Sequence, residues 1–220
     1  MYCKIYLFRH GQTYFNRNHY FCGRRNSNLT PRGIKDAKRV GRMLKDKKID
    51  VAYRSSLKRS KDTLMYVLKF HPECKKIIVD DRMIERSYGR LQGKSHNHFV
   101  DKMGEKDYKM LLHWHMIDNL HGIKREKFIE RMGETELQTV RRSYDIPPPQ
   151  GESVKDVENR VKPFIKDLLR KIKKEKIHIA ISAHGNSMRP FRKHFEKLTR
   201  NEMMHLENPW DEYFEYRVKV

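Results

Sequence analysis

Leu7-Phe8-Arg9-His10-Gly11-Gln12-Thr13 and Ile181-Ser182-Ala183-His184-Gly185-Asn186-Ser187-Met188-Arg189 decide how this chain is read. Each is an apolar run that delivers a His-Gly to what should be the end of a strand. Two such ends can meet when their strands lie parallel in one sheet, and α/β proteins place their sites at the carboxyl ends of such strands. One histidine can then take a phosphoryl group while the other, with arginines, holds its oxygens. The pairing points to phosphoryl transfer without a metal.

Working outward, residues 4–8 read as a buried strand. Thr30 and Pro31 open a helix as N-cap and first helical residue, and Ile34, Ala37, Val40, Gly41 and Leu44 give it one apolar face. Residues 49–53 form a second strand. A helix over 56–70 turns Leu57, Leu64, Val67 and Leu68 inward and ends before Pro72. Residues 76–79 form a third strand. A long amphipathic helix over 153–173 carries Val154, Val157, Val161, Ile165 and Leu168 inward. The most apolar strand follows at 177–182, then a helix over 186–197 and a last strand at 213–218. Strands alternating with helices imply an α/β fold, a mainly parallel sheet flanked by helices, in one domain spanning 1–220.

Residues 81–150 break the alternation. They hold two helices, end in Pro147-Pro148-Pro149, and read as a helical cap inserted over the site. The insertion repeats itself. Leu91-Gln92-Gly93 returns as Leu120-His121-Gly122, and at the same offset of 29 Phe99, Met103, Gly104 and Glu105 return as Phe128, Met132, Gly133 and Glu134. Chance similarity between amphipathic helices competes, but the unbroken register favours a tandem repeat of 91–119 and 120–148.

The chain has 220 residues, enough for a sizeable core. No apolar run reaches the ~20 residues of a membrane span, and residues 1–8 are too short for a signal peptide. Cys3, Cys22 and Cys74 are odd in number, widely spaced and without metal-ligand spacing, so free thiols and a cytoplasmic location are expected. Forty-nine Lys and Arg against 28 Asp and Glu give a net charge of +21. Most of this reads as a solvated lysine-rich surface and part as a pocket for a multiply anionic small molecule. No nucleic-acid module signature is present, so nucleic acid is not the expected partner.

A phosphoryl pocket needs a nucleophile and donors around the equatorial oxygens. Neutral imidazole supplies the first and arginine the second. His10 with Arg9 provides both in adjacent residues, Arg59 can add a second arginine, and His184 a further donor if protonated. A carboxylate must move protons to and from the substrate oxygen, and Glu85 is the candidate.

Three more segments carry a family resemblance. Glu85-Arg86-Ser87-Tyr88-Gly89-Arg90-Leu91-Gln92-Gly93, Arg141-Arg142-Ser143-Tyr144-Asp145-Ile146-Pro147-Pro148-Pro149 and His184-Gly185-Asn186-Ser187-Met188-Arg189 resemble motifs of the 2,3-bisphosphoglycerate-dependent phosphoglycerate mutases, within the histidine phosphatase superfamily. The resemblance runs from about Lys4 to Tyr216. It implies a phosphoglycerate mutase-like fold and interconversion of 3- and 2-phosphoglycerate, primed by 2,3-bisphosphoglycerate, with no metal. It implies that His10 is the phosphorylated nucleophile, that Glu85 is general acid and base, and that Arg9, Arg59 and His184 clamp the phosphoryl group. Asn16 and Gly185 would lie nearby. Arg86, Tyr88, Arg141 and Arg142 would hold the substrate's carboxylate and other phosphate, with Cys22, Gly23 and Asn186 as further contacts. Family members occur as monomers, dimers and tetramers, which admits a homodimer here.

The chain departs from the family in three places. A family lysine three residues after Leu-Gln-Gly is His96 here, with Lys94 two residues before it, and the second repeat copy carries Arg125 at that place. The expectation is that the second copy supplies the cap helix and Arg125 the lysine's role. Only Gln150 and Gly151 separate the proline run from the next helix. The third departure is the short stretch after the last strand, which predicts more hydrolysis of the phosphohistidine unless the insertion restores the cover. The alternative activity is a histidine phosphatase acting on small phosphorylated acids. An inactive binding protein is a third reading, opposed by the joint presence of His10, His184, Arg9, Arg59 and Glu85.

Overall fold

A computed structural model describes all residues, 1–220. Five strands form one sheet in the order β3-β2-β4-β1-β5: β1 (Tyr2–Arg9), β2 (Val51–Arg54), β3 (Lys76–Val79), β4 (Ile179–Ala183) and β5 (Tyr213–Lys219). All neighbours are parallel except β5, which runs antiparallel to β1 and closes that edge. The strands lie where the apolar runs predicted them, within two residues at either end.

Strand alternation assigns the two faces. Ile5 and Leu7 of β1 pack with Val157, Val161, Phe164 and Phe191 in the larger core cluster, beneath α6 (Val154–Glu175) and α7 (Gly185–Glu196). Tyr6 and Phe8 face the other way, onto Val40, Leu44, Leu64 and Val67 of α2 (Pro31–Leu44) and α3 (Lys58–Leu68). Thr30 caps α2 by accepting the Gly33 N–H at 3.0 Å, and Ser153 caps α6 in a reciprocal box with Asp156. Two short helices were not evident in the sequence: α1 (Tyr14–Arg17) and α8 (Arg200–His205). At four and six residues they are too short to show a periodic apolar face.

The cap consists of α4 (His96–His113) and α5 (Gly122–Arg142). They pack on each other and meet the body through Phe99, Val100 and Leu137, which bury Phe21 and Leu91. Glu152 ties the returning chain down by accepting from Ser87 N–H, Arg24 and Arg160. No helix is long and apolar enough to cross a membrane.

Candidate active site

Strand register brings the two His-Gly motifs together. Arg9 of β1 lies opposite Ala183 of β4, and the His10 N–H donates to the Ala183 carbonyl at 3.0 Å. The next residue on each strand is therefore a histidine at the same level. Their rings sit 5.0 Å apart, centroid to centroid, and both side chains are buried. Gly11 and Gly33 let two chain segments touch here, because a Cβ on either would collide with backbone of the other segment.

The hydrogen bonds assign the His10 tautomer. His10 Nδ1 lies 2.8 Å from the Gly11 carbonyl, which can only accept, so Nδ1 carries the proton. Nε2 then holds the lone pair, and it accepts from Arg59 Nε at 3.2 Å. Arg59 is itself fixed by donating to the Arg25 and Gly23 carbonyls at 2.8 and 2.7 Å. His184 Nε2 meets the Ser55 hydroxyl at 2.7 Å. That hydroxyl also accepts from the Leu57 N–H. The His184 Nδ1 is buried with no partner.

Burial, followed by the charges of Arg59 and Arg9, pushes the His10 pKa well below its ordinary value. Burial, then Arg59 and His10, does the same to His184. Both rings are neutral at pH 7. Neutral His10 has the Nε2 lone pair that a nucleophilic imidazole needs. Neutral His184 still carries one ring N–H that can donate.

Glu85 completes the group. Its Oε1 accepts from the Arg86 N–H at 2.9 Å and the Asn186 N–H at 3.1 Å. This leaves the other oxygen free. Donor atoms of His10, Glu85 and His184 all lie within 4.8 Å of one another, a set that could hold a metal ion. The surroundings oppose that use. Arg59 donates to His10 Nε2, and the Arg9 guanidinium is buried beside it. A cation placed there meets two guanidinium groups, whereas an anion is attracted by both.

Above this floor lies a cavity of about 160 Å³. Arg9, Asn16, Cys22, Gly23, Glu85, Tyr88, Arg141, Arg142, Gly185 and Asn186 line it. Arg86 lies fully buried behind Tyr88, its guanidinium 4.5 Å from that ring and donating to the Val140 carbonyl at 2.9 Å. Arg9 Nε and Arg86 Nε and Nη1 are buried donors with no acceptor, and His184 Nδ1 is buried with no partner. Unmet buried N–H groups are costly, and an anion with several oxygens would satisfy them.

Of the predicted residues, His10, Arg59, Arg86 and His184 lie outside the lining, and Arg125 lies outside the site altogether. It does not line the cavity but pairs with Glu105 on α4 and lies over the Tyr108 ring at 5.0 Å. The reason is direction. α5 approaches the body with its C-terminal end, so Arg141 and Arg142 arrive and Arg125, at its start, is carried away. His96, at the start of α4, lines the cavity instead.

Sequence reasoning missed Arg189, which also lines the cavity. Its spacing of three from Asn186 on one helix was the available signal. It also missed the segment Leu206–Asn208. Asn208 is buried. Its carbonyl accepts from Arg9 Nη1 at 2.9 Å, its Oδ1 accepts from Arg192 at 3.0 Å, and its Nδ2 donates to the Gly185 carbonyl at 3.0 Å. The Trp210 ring lies 4.8 Å from the Arg9 guanidinium carbon. Nothing local in the sequence marks this segment.

The pattern of the histidine phosphatase superfamily (branch 1) matches residues 5–134 and again 109–211. A 2,3-bisphosphoglycerate-dependent phosphoglycerate mutase of Chlamydia felis is 31% identical over 207 residues, covering 93% of this chain and 89% of its own. One from Parvibaculum lavamentivorans is 32% identical over 206 residues, covering 92% and 84%. Among solved structures, a phosphoglycerate mutase from Bacillus anthracis aligns with TM-score 0.69 at 20% identity, covering 99% of this chain and 88% of its own. The α-ribazole phosphatase from Shigella flexneri aligns with TM-score 0.72 at 17% identity, covering 98% and 93%. The structural matches show a shared fold. The chain belongs to the histidine phosphatase superfamily of enzymes and, within it, to the family of the 2,3-bisphosphoglycerate-dependent phosphoglycerate mutases.

Proposed function

We propose that this chain interconverts 3-phosphoglycerate and 2-phosphoglycerate through a phosphohistidine at His10, primed by 2,3-bisphosphoglycerate. The observation that carries the reading is the distribution of cations around one cavity. Arg9 and Arg59 serve the His10 floor, while Arg141 and Arg142 come from the cap to its rim. A simple phosphate ester has no use for the second group. A substrate with a phosphate and a carboxylate does.

In the first half-reaction Glu85 takes the proton of the substrate's 2-hydroxyl. That oxygen attacks phosphorus, and the P–N bond to His10 Nε2 breaks. Arg9, Arg59 and the His184 ring hold the equatorial oxygens, where transition-state charge collects. Arg59 Nε leaves the Nε2 lone pair while that atom carries phosphorus. The bound bisphosphate then turns, its 3-phosphoryl group passes to Nε2, and Glu85 returns the proton to the 3-oxygen. Arg86, Tyr88, Arg141, Arg142 and Asn186 would hold the remaining anionic groups, with Asn16, Cys22, Gly23 and Gly185 shaping the floor. The reaction is one of glycolysis and gluconeogenesis. Three free cysteines fit a cytoplasmic setting.

The test follows conversion of 3- to 2-phosphoglycerate with a chelator present, with and without trace 2,3-bisphosphoglycerate, while free phosphate is recorded in parallel. Primer-dependent isomerisation with little phosphate release supports the proposal. Phosphate release without isomerisation replaces it with a phosphatase acting on small phosphorylated acids.

A further inference from the structure

The two cap helices repeat each other in space as well as in sequence. α4 ends at His113 and α5 at Arg142, 29 residues apart. Gly104 of α4 packs against the Ile129 carbonyl of α5, and Gly133 of α5 packs against the Val100 carbonyl of α4. Positions 104 and 133, and 100 and 129, are equivalent in the repeat. The Tyr108 and Phe128 rings meet at 6.0 Å. The equivalent positions, Leu137 and Phe99, share one apolar cluster. A contact from i to j matched by one from j to i is the mark of a twofold interface.

We propose that the cap is an internal dimer of one 29-residue unit, that only one end of it faces the cavity, and that His96 at that end sets which anions the cavity accepts. Each copy supplies half of the facing end. His96 and Phe99 come from the first copy, and Arg141 and Arg142 from the second. The far end holds the other halves, and there Arg125, the equivalent of His96, is neutralised by Glu105. The matching pair at the near end would be His96 with Glu134, and no bond joins them. Glu134 is exposed, and His96 packs edge-on to Phe21 at 4.5 Å and lines the cavity. Burial and the nearby Arg141 push its pKa down to about 4. The unit thus presents an uncharged imidazole to the substrate and keeps the cation of its other copy away from it.

The inference rests on the phosphoglycerate reading for its choice of ligand, so the test uses binding rather than turnover. Affinities for 2,3-bisphosphoglycerate and for inorganic phosphate are measured by calorimetry at pH 7 in a His10→Asn background, which cannot accept a phosphoryl group. The ratio of the two affinities reports the second anion site. His96→Arg adds a cation there and should raise the ratio about tenfold. Arg125→His should change it less than twofold. A ratio unmoved by His96→Arg, or lowered by Arg125→His, overturns the proposal. The twofold relation is tested separately by Gly104→Ala and Gly133→Ala, which should lower the melting temperature by similar amounts. Tolerance of either alone refutes it. Failure of the phosphoglycerate reading would show instead as no isomerisation by the unmodified chain.

Discussion

His10 and His184 predict an acid-sensitive fold. Both are buried, and burial with neighbouring arginines holds both pKa values well below the ordinary 6.5. In the unfolded chain each regains a pKa near 6.5 and binds a proton as the pH falls through that value, while the folded state does not. The unfolded state then binds more protons, so stability is full above about pH 7 and is lost on acidification. Between about pH 7.5 and pH 5.5 the two sites together cost on the order of 3 kcal/mol. With a urea dependence of 2–3 kcal/mol per molar, the midpoint should fall by about 1 M from these two groups. The assay is equilibrium urea unfolding at a series of pH values in a phosphate-free buffer. The His10→Asn, His184→Asn double variant is the comparison, because His96 and His178, also depressed, contribute equally to both proteins. The double variant should show a flatter pH dependence by that amount, whatever its absolute stability. A double variant that loses stability with acid as steeply as the parent would refute the reasoning.

Other perturbations read the site directly. Glu85→Gln keeps the shape and both backbone hydrogen bonds but removes the proton acceptor. Isomerisation should fall by about 10²–10⁴, with KM nearly unchanged in steady-state kinetics. Arg59→Met removes the charge that, after burial, most depresses the His10 pKa. The imidazole should titrate at higher pH by NMR, and kcat should fall by about 10² or more as a donor to the transition state is lost. Asn208→Ala removes the side-chain amide that holds the Gly185 carbonyl and loosens the backbone carbonyl that accepts from Arg9. It should lower kcat by about tenfold with an unchanged circular dichroism spectrum, on the principle that small displacements of a catalytic group are expensive.

The periodic elements were legible because each carries its own signal. The apolar runs of β1 and β4 announced buried strands, Thr30-Pro31 and Ser153 announced helix starts, and both His-Gly pairs fell at strand ends. The cap was harder. Its two helices and their repeat could be read, but which residues face the cavity depends on how α4 and α5 approach the body. Arg125 and His96 are equivalent in the repeat, so sequence alone could not choose between them. Asn208 and Trp210 act through a carbonyl and a ring face, and no residue pattern along the chain encodes either contact.

By itself the sequence determined the chemistry. Histidine, arginine and glutamate in these motifs specify a phosphoryl-transfer enzyme of this superfamily, because few other side chains combine an imidazole nucleophile with bidentate anion donors. Tertiary structure alone decided the working state of those groups. Parallel pairing of β1 with β4 sets the two rings 5.0 Å apart. Burial makes both neutral, and the Gly11 carbonyl selects the tautomer of His10. Antiparallel packing of the cap helices chooses His96 over Arg125 for the rim. Each of these depends on contacts between residues far apart in the chain, where dielectric surroundings and hydrogen-bond partners exist only once the chain has folded.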